Sequence, residues 1–195
     1  STDAFEQKFF EVNFASNGIA TGFGDIPANA SSRSMNAIQD PTRGFFCGGE
    51  GTNKSPGTQN RKITEITFAT RGSAVTFGEL SGESKGGASM ESHTRAVVVL
   101  GGNAASPEAF KDTIEFFTMA TRGNTTDFGN ASSNTGSIND NAATNRVRGV
   151  YHNARTSDGG SNKNILEFIT IASTGNATDF GDLTSARNSG CGLSD

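Results

Sequence analysis

Short apolar runs alternate along this chain with polar stretches rich in Gly, Ser, Thr and Asn. Within several runs every second position is apolar: Phe10, Val12 and Phe14, then Ile66 and Phe68, then Ile169 and Ile171. A period of two predicts strands with one buried face. A second kind of run is apolar throughout and closes on two glycines, as in Arg95-Ala-Val-Val-Val-Leu-Gly-Gly102. This predicts a strand ending in a turn. It recurs at Arg43–Gly49 and, degraded, at Arg148–Asn153. Glycine is abundant, at 25 residues, which disfavours long helices because each interior Gly costs a helix about 1 kcal/mol.

The runs recur in fixed order. Ala172 to Thr184 reads A-S-T-G-N-A-T-D-F-G-D-L-T, and the stretches opening at Ala15, Ala69 and Ala120 align with it without gaps. The spacings are 54, 51 and 52 residues. One repeat domain, 1–195, therefore holds repeat cores at 9–27, 63–81, 114–132 and 166–184. In the third copy the parts read as a double-glycine strand, a loop, an alternating strand at 113–120, a turn at Thr121–Asn124, a Phe-Gly strand at 125–130 and a weak fourth strand around 136–140. Gly123 is expected to supply a positive φ at the turn.

The predicted fold is all-β: four tandem repeats of four short antiparallel strands, forming a small propeller. A β-solenoid, a sandwich or a trimeric β-fibre module remains open as an alternative. A sheet of this size cannot bury its own apolar face, so neighbouring repeats must lean together. Phe23, Phe77, Phe128 and Phe180 are expected to fill one core layer at each junction, worth about 1.5–3 kcal/mol each if fully buried. The following Gly24, Gly78, Gly129 and Gly181 would permit a bulge or a close backbone approach.

This grammar resembles the kelch blade, in which a strand ending in Gly-Gly precedes a loop, a strand and an aromatic-bearing strand. Here Phe stands where kelch repeats usually carry Trp, and the kelch tyrosine before the turn is missing. Residues 175–183, G-N-A-T-D-F-G-D-L, also resemble the tandem repeats of predicted virion proteins from cyanophages and other marine phages. Residues 123–131 are a drifted copy. That resemblance implies a tail fibre or other virion appendage.

The chain begins just before an alternating strand and stops short of a further double-glycine strand. The expected closure joins Ser185–Asp195 to a sheet made by Phe9–Ile26, with one strand still lacking and a neighbouring chain or flanking segment to fill the slot. The N-terminal S-T-D-A-F-E-Q-K has no leader pattern and reads as a mature end after loss of Met or of a leader.

The net charge of -4, with scattered basic residues, argues against nucleic acid as a partner. No apolar run approaches the ~20 residues of a membrane-spanning helix. Cys47 and Cys191 read as two thiols rather than a bridge, although a bridge would tie the first repeat to the chain end.

Candidate chemistry is sparse. His93 and His152 are the only histidines, and both read as exposed or turn residues rather than metal ligands. Asn139-Asp-Asn141 and Thr156-Ser-Asp158-Gly have calcium-loop flavour but lack EF-hand spacing. Glu79 with Glu83 reads as solvated loop charge. The D-F-G triplets at Asp127 and Asp179 recur at the repeat period, and no glycine-rich nucleotide loop precedes a lysine strand, so a kinase reading fails. Sequons at Asn29, Asn53, Asn124, Asn130 and Asn176 are largely products of the repeat.

No catalytic residue, cofactor or metal set is assigned. The loops 49–61, 102–111 and 153–164 connect equivalent strands, must emerge on one face, and are the expected binding surface. The expected function is non-enzymatic: a virion protein contacting other virion proteins, copies of itself or host-surface glycans. A secreted or surface-attached lectin or adhesin is the alternative, and a polysaccharide-cleaving enzyme comes third.

Overall fold

The computed structural model describes residues 8–13, 15, 18–27, 34–49, 61–103, 109–135, 142–155, 161–188, 190 and 192. Its strands form four antiparallel sheets. The first has two strands, β1 (Lys8–Glu11) and β2 (Thr21–Asp25). Three four-stranded meanders follow. They are β3 (Asn36–Gln39), β4 (Arg43–Cys47), β5 (Lys62–Thr67) and β6 (Val75–Glu79); then β7 (Lys85–Glu91), β8 (Arg95–Gly102), β9 (Lys111–Thr118) and β10 (Thr126–Thr135); then β11 (Ala142–Thr144), β12 (Arg148–Arg155), β13 (Asn162–Thr170) and β14 (Thr178–Arg187). Strands β3 and β11 each pack against β7, making a hub from which the blades radiate.

The blades are phased differently from the sequence reading. Residues 136–140 lie outside the described residues. The short strand in that part of the repeat is β11, which pairs with β12 (Ala143↔Val150) and so opens the next blade instead of completing the previous one. Strands β3 and β7 do the same. The cause is chain length: a tight turn joins each of these strands to its double-glycine successor, and local antiparallel pairing carries the smaller loop-closure cost.

Two cores lie between blades. Phe45, Cys47, Ile63, Phe77 and Leu80 of one blade meet Ala96, Val98, Leu100, Phe117 and Met119 of the next. Val97, Val99, Ile114 and Phe128 then meet Tyr151, Ile169 and Ile171. Strand β8 alternates its side chains between the two cores, which is why its sequence is apolar throughout rather than at every second position. Cys47 is buried, and Cys191 lies outside the described residues.

The Phe-Gly pair builds each junction. In all four sheets the register skips the phenylalanine: Gly22 and Gly24, Thr76 and Gly78, Asp127 and Gly129, and Asp179 and Gly181 face consecutive partners. The bulge re-aims the ring out of the ladder and into the gap between blades. The next blade then staples on through its backbone. Gly72 N–H donates to Phe23 O (3.0 Å) and Ala74 N–H to Asp25 O (2.9 Å); Gly123 and Thr125 donate likewise to Phe77 and Glu79, and Gly175 and Ala177 to Phe128 and Asn130. A Cβ on Gly78 would lie 1.8 Å from the Gly123 carbonyl oxygen, so this contact requires glycine. Gly123 itself does not adopt the expected positive φ; its role is to bring its carbonyl and N–H against the previous blade.

Polar partners at the junctions change together. Glu115 is buried and accepts from Ser81 N (3.1 Å), Ser81 Oγ and Thr125 Oγ1 (2.6 Å). Glu167 is buried at the equivalent place and accepts from Ser132 N (2.9 Å), Tyr151 Oη (2.8 Å) and Asn153 Nδ2 (3.0 Å). At the first junction the serine is replaced by Pro27, which has no N–H to give, and the glutamate by Thr64. Similarly, Glu11–Arg71 and Glu65–Arg122 pair across the first two junctions, whereas the third has Phe116 and Thr174 at those positions.

Burial, and secondarily the neighbouring Glu167 carboxylate and the hydrogen bond to it, push the Tyr151 hydroxyl far above the ordinary tyrosine range. A folded-state value raised above the unfolded one contributes stability below about pH 10 and loses it as pH rises further. Tyr151 is the only tyrosine. Phenolate absorbance is therefore expected to appear together with loss of β-sheet circular dichroism rather than as a separate titration near pH 10.

Among the described residues the predicted closure does not form; of Ser185–Asp195, residues 189, 191 and 193–195 lie outside them. Ser185–Arg187 belong to β14, and Gly192 lies against the Ala142 carbonyl of the last blade. Among the described residues neither β1 nor β2 packs substantially against the last blade. Phe77 and Phe128 are 3% and 2% exposed, but Phe180, on the last described blade, is 53% exposed. The alternating face of the first copy is likewise open, with Phe10 and Val12 more than half exposed. Phe14 lies outside the described residues. Phe68 is also exposed, because the two-stranded first sheet covers only part of its neighbour.

Candidate functional site

The first two strands of each four-stranded blade are joined by the same turn. Asp40 Oδ1 accepts from Thr42 N and Arg43 N, both at 2.8 Å. Ser92 Oγ accepts from Thr94 N (3.3 Å) and Arg95 N (3.1 Å), and Asn145 Oδ1 from Val147 N (3.2 Å) and Arg148 N (2.8 Å). Asp, Ser and Asn close such turns because a short side-chain acceptor reaches the backbone two and three residues on. The residue after each becomes a tip: Pro41, His93 and Arg146. Arg146 holds a left-handed φ of 69°.

The arginine ending each turn anchors it. Arg43 Nη2 donates to Met119 O (2.6 Å), and Arg95 Nη1 to Ile171 O and Ala172 O (3.0 Å each), so each reaches the following blade. Arg95 also lies over Phe116 and Arg148 over Phe168, at 4.3 and 4.4 Å from the ring centres. In the first full blade Glu65 takes the aromatic place, and Arg43 pairs with it at 3.3 Å.

The tips border a cleft of about 290 Å³ lined by Gln39, Asp40, Pro41, Glu91, Ser92, His93 and Arg146. It adjoins a cavity of about 390 Å³ whose lining includes Gln39, Glu91, Ser89 and Phe46. Arg146 Nη1 donates to His93 Nδ1 at 3.0 Å, which fixes the two tips against each other. Burial pushes the Asp40 carboxyl up, but hydrogen bonds from Thr42 and Arg43 outweigh it and hold the group below its usual value. Both its oxygens serve the turn and Arg43, so Asp40 is a structural anchor and not a proton acceptor for a ligand. The cleft offers an amide, a carboxylate, an imidazole and a guanidinium on rigid supports. Such a set hydrogen-bonds polar groups; it is not a nucleophile with an oriented base.

The structure keeps the two histidines apart in role. His93 is an exposed turn residue, as expected. His152, also expected to be an exposed or turn residue, is 5% exposed within β12 and bonds through Nε2 to Lys163 O at 3.0 Å, because the degraded double-glycine strand around it is interior. Among the described residues no cluster of three or more His, Cys, Asp or Glu is placed to hold a metal. Residues 139–141 and 156–159 lie outside the described residues. Glu79, expected as a solvated loop charge, ends strand β6 and pairs with Lys62 at 3.2 Å. Asn124 and Asn176 accept from Glu79 N and Asn130 N across junctions, which explains those two repeat asparagines structurally. Asn29 and Asn53 are outside the described residues.

Most of the three loops expected to bind, at 50–60, 104–108 and 156–160, are also outside them. The hub turns were missed by sequence reading. Their signal is an Asp, Ser or Asn three residues before each repeat arginine: D-P-T-R, S-H-T-R and N-R-V-R.

No family model matches the chain, and no curated protein matches it. Among solved structures the chain is similar to YjhT, a kelch-repeat β-propeller protein, with a TM-score of 0.69 over 87% of this chain and 13% identity. The chain spans 57% of the length of YjhT. At that identity the likeness shows fold alone. The fold is a β-propeller fold similar to that of this kelch-repeat protein, which selects the propeller over the solenoid and the fibre module.

Proposed function

We propose that this chain is a non-enzymatic propeller module of a phage virion, in a tail, fibre or capsid decoration, that works by contact with other virion proteins or the host surface. The observation that carries a binding role is the hub end: three chemically unlike tips, Pro41, His93 and Arg146, set around a polar cleft on turns locked by their own hydrogen bonds. Rigid display of variable tips on a repeated frame is how repeat folds recognise partners. The G-N-A-T-D-F-G-D-L resemblance supplies the virion setting.

The expected result is that mass spectrometry of purified particles finds the chain at stoichiometric copy number. Its absence from particles overturns the virion reading. A glycan-binding lectin or adhesin is the second reading, favoured by the mix of amide, carboxylate and guanidinium in one cleft, which suits sugar hydroxyls. Under it, a glycan array gives a defined signal. His93→Ala with Arg146→Ala is expected to weaken that signal by about tenfold or more, the loss of a charge-assisted hydrogen bond, while exposed tips leave stability within about 0.5 kcal/mol.

A further inference from the structure

The two ends of the arc are complementary halves of the junction already built inside it. Beyond β14, the Phe180 ring packs on Phe168 at 6.2 Å just as Phe128 packs on Phe116 at 6.1 Å, so its inner side is arranged as at an internal junction. Its outer side faces solvent. A Cβ on Gly24, Gly78 or Gly129 would strike the next blade's turn within 2.3 Å, whereas one on Gly181 meets open space. By the repeat, the Phe180 and Asp182 carbonyls stand where Phe77 and Glu79 accept from the following blade.

The other end carries the donor half. Gly18 and Ala20 stand where Gly72 and Ala74 donate. Val12 occupies the position of Phe117, which packs on Phe77 at 5.1 Å, and Phe10 that of the buried Glu115. Phe9 and Glu11 point the other way, toward Phe46 and Arg71, so Phe10 and Val12 face the empty side. Ile19, 90% exposed, replaces Ser73, Asn124 and Asn176, so one side-chain acceptor gives way to apolar contact.

We infer that the face bearing Phe180 is a docking surface for the first sheet of a second copy of this chain. Copies join head to tail, with Gly18 and Ala20 N–H on the Phe180 and Asp182 carbonyls and Val12 on the Phe180 ring. Such an interface is heterologous: it closes into a ring if the rotation allows, and otherwise propagates. It is read by mass alone, so its failure leaves the proposed binding role untouched, and the reverse.

Sedimentation velocity from micromolar to near-millimolar protein tests it. The expected weight-average mass at the top of that range is at least double that of one chain. Phe180→Asp and Val12→Asp both alter exposed side chains, so each is expected to keep wild-type circular dichroism and to stay a single chain. Mixed in equal amounts they are expected to form a complex that stops at two copies, since Phe180→Asp retains a sound first sheet and Val12→Asp a sound last blade. A wild-type monomer throughout, or Phe180→Asp with unchanged mass, or a mixture that stays monomeric, overturns the inference and gives the face to a different polypeptide.

Discussion

Phe77→Ala is expected to lower the unfolding free energy by about 3–5 kcal/mol, the range for emptying a buried aromatic site. The Phe77 ring lies 5.1 Å from both Phe45 and Phe117, so its removal opens a cavity shared by two blades. Neither neighbour collapses into it freely, because the backbone staple through Gly123 fixes the spacing. Phe180→Ala, the same substitution in the same repeat position, is expected to change stability by less than about 0.5 kcal/mol, since the ring is already largely in water. Urea unfolding of the two variants at low protein concentration measures the contrast. Equal losses would mean that Phe77 does not serve as a wedge.

Glu167→Ala is expected to cost about 3–5 kcal/mol for a different reason. The side chain contributes almost no apolar packing. Its carboxylate satisfies Ser132 N, Tyr151 Oη and Asn153 Nδ2 at a place that water does not reach. Removing it strands three donors, each at about 1–3 kcal/mol if unrelieved. Glu167→Gln keeps one acceptor oxygen and is expected to lose less. Pairing Glu167→Ala with Tyr151→Phe gives the decisive measurement: the double variant is expected to lose clearly less than the sum of the singles, because the hydroxyl no longer needs a partner. Additive losses would mean that the network does not act as a unit.

The repeat period, the strand types and the Phe-Gly junction were legible because they depend on local pattern. The phase of the blades was not. Ala142–Thr144 is too short and too polar to show which side it pairs with, and hydrophobic period carries no information about the partner strand. The exposure of Phe180 was also invisible, since its own sequence context matches that of Phe128 and only the absence of a neighbour differs. His152 was misjudged because the strand around it has lost its apolar pattern, yet it is held on both sides like its intact counterparts. The hub turns were hidden by aligning the copies on the Ala-x-x-Gly turn, which lies a full strand away from Asp40, Ser92 and Asn145.

Because each blade grips only its immediate neighbours, tension applied across the ends of this chain would not be shared. Every junction in the series bears the full load, and the weakest yields first, releasing about 170–190 Å of chain for each ~52-residue unit pulled straight. Such a tether gives way in steps and dissipates work at each one, which a cable with a single rupture point cannot do.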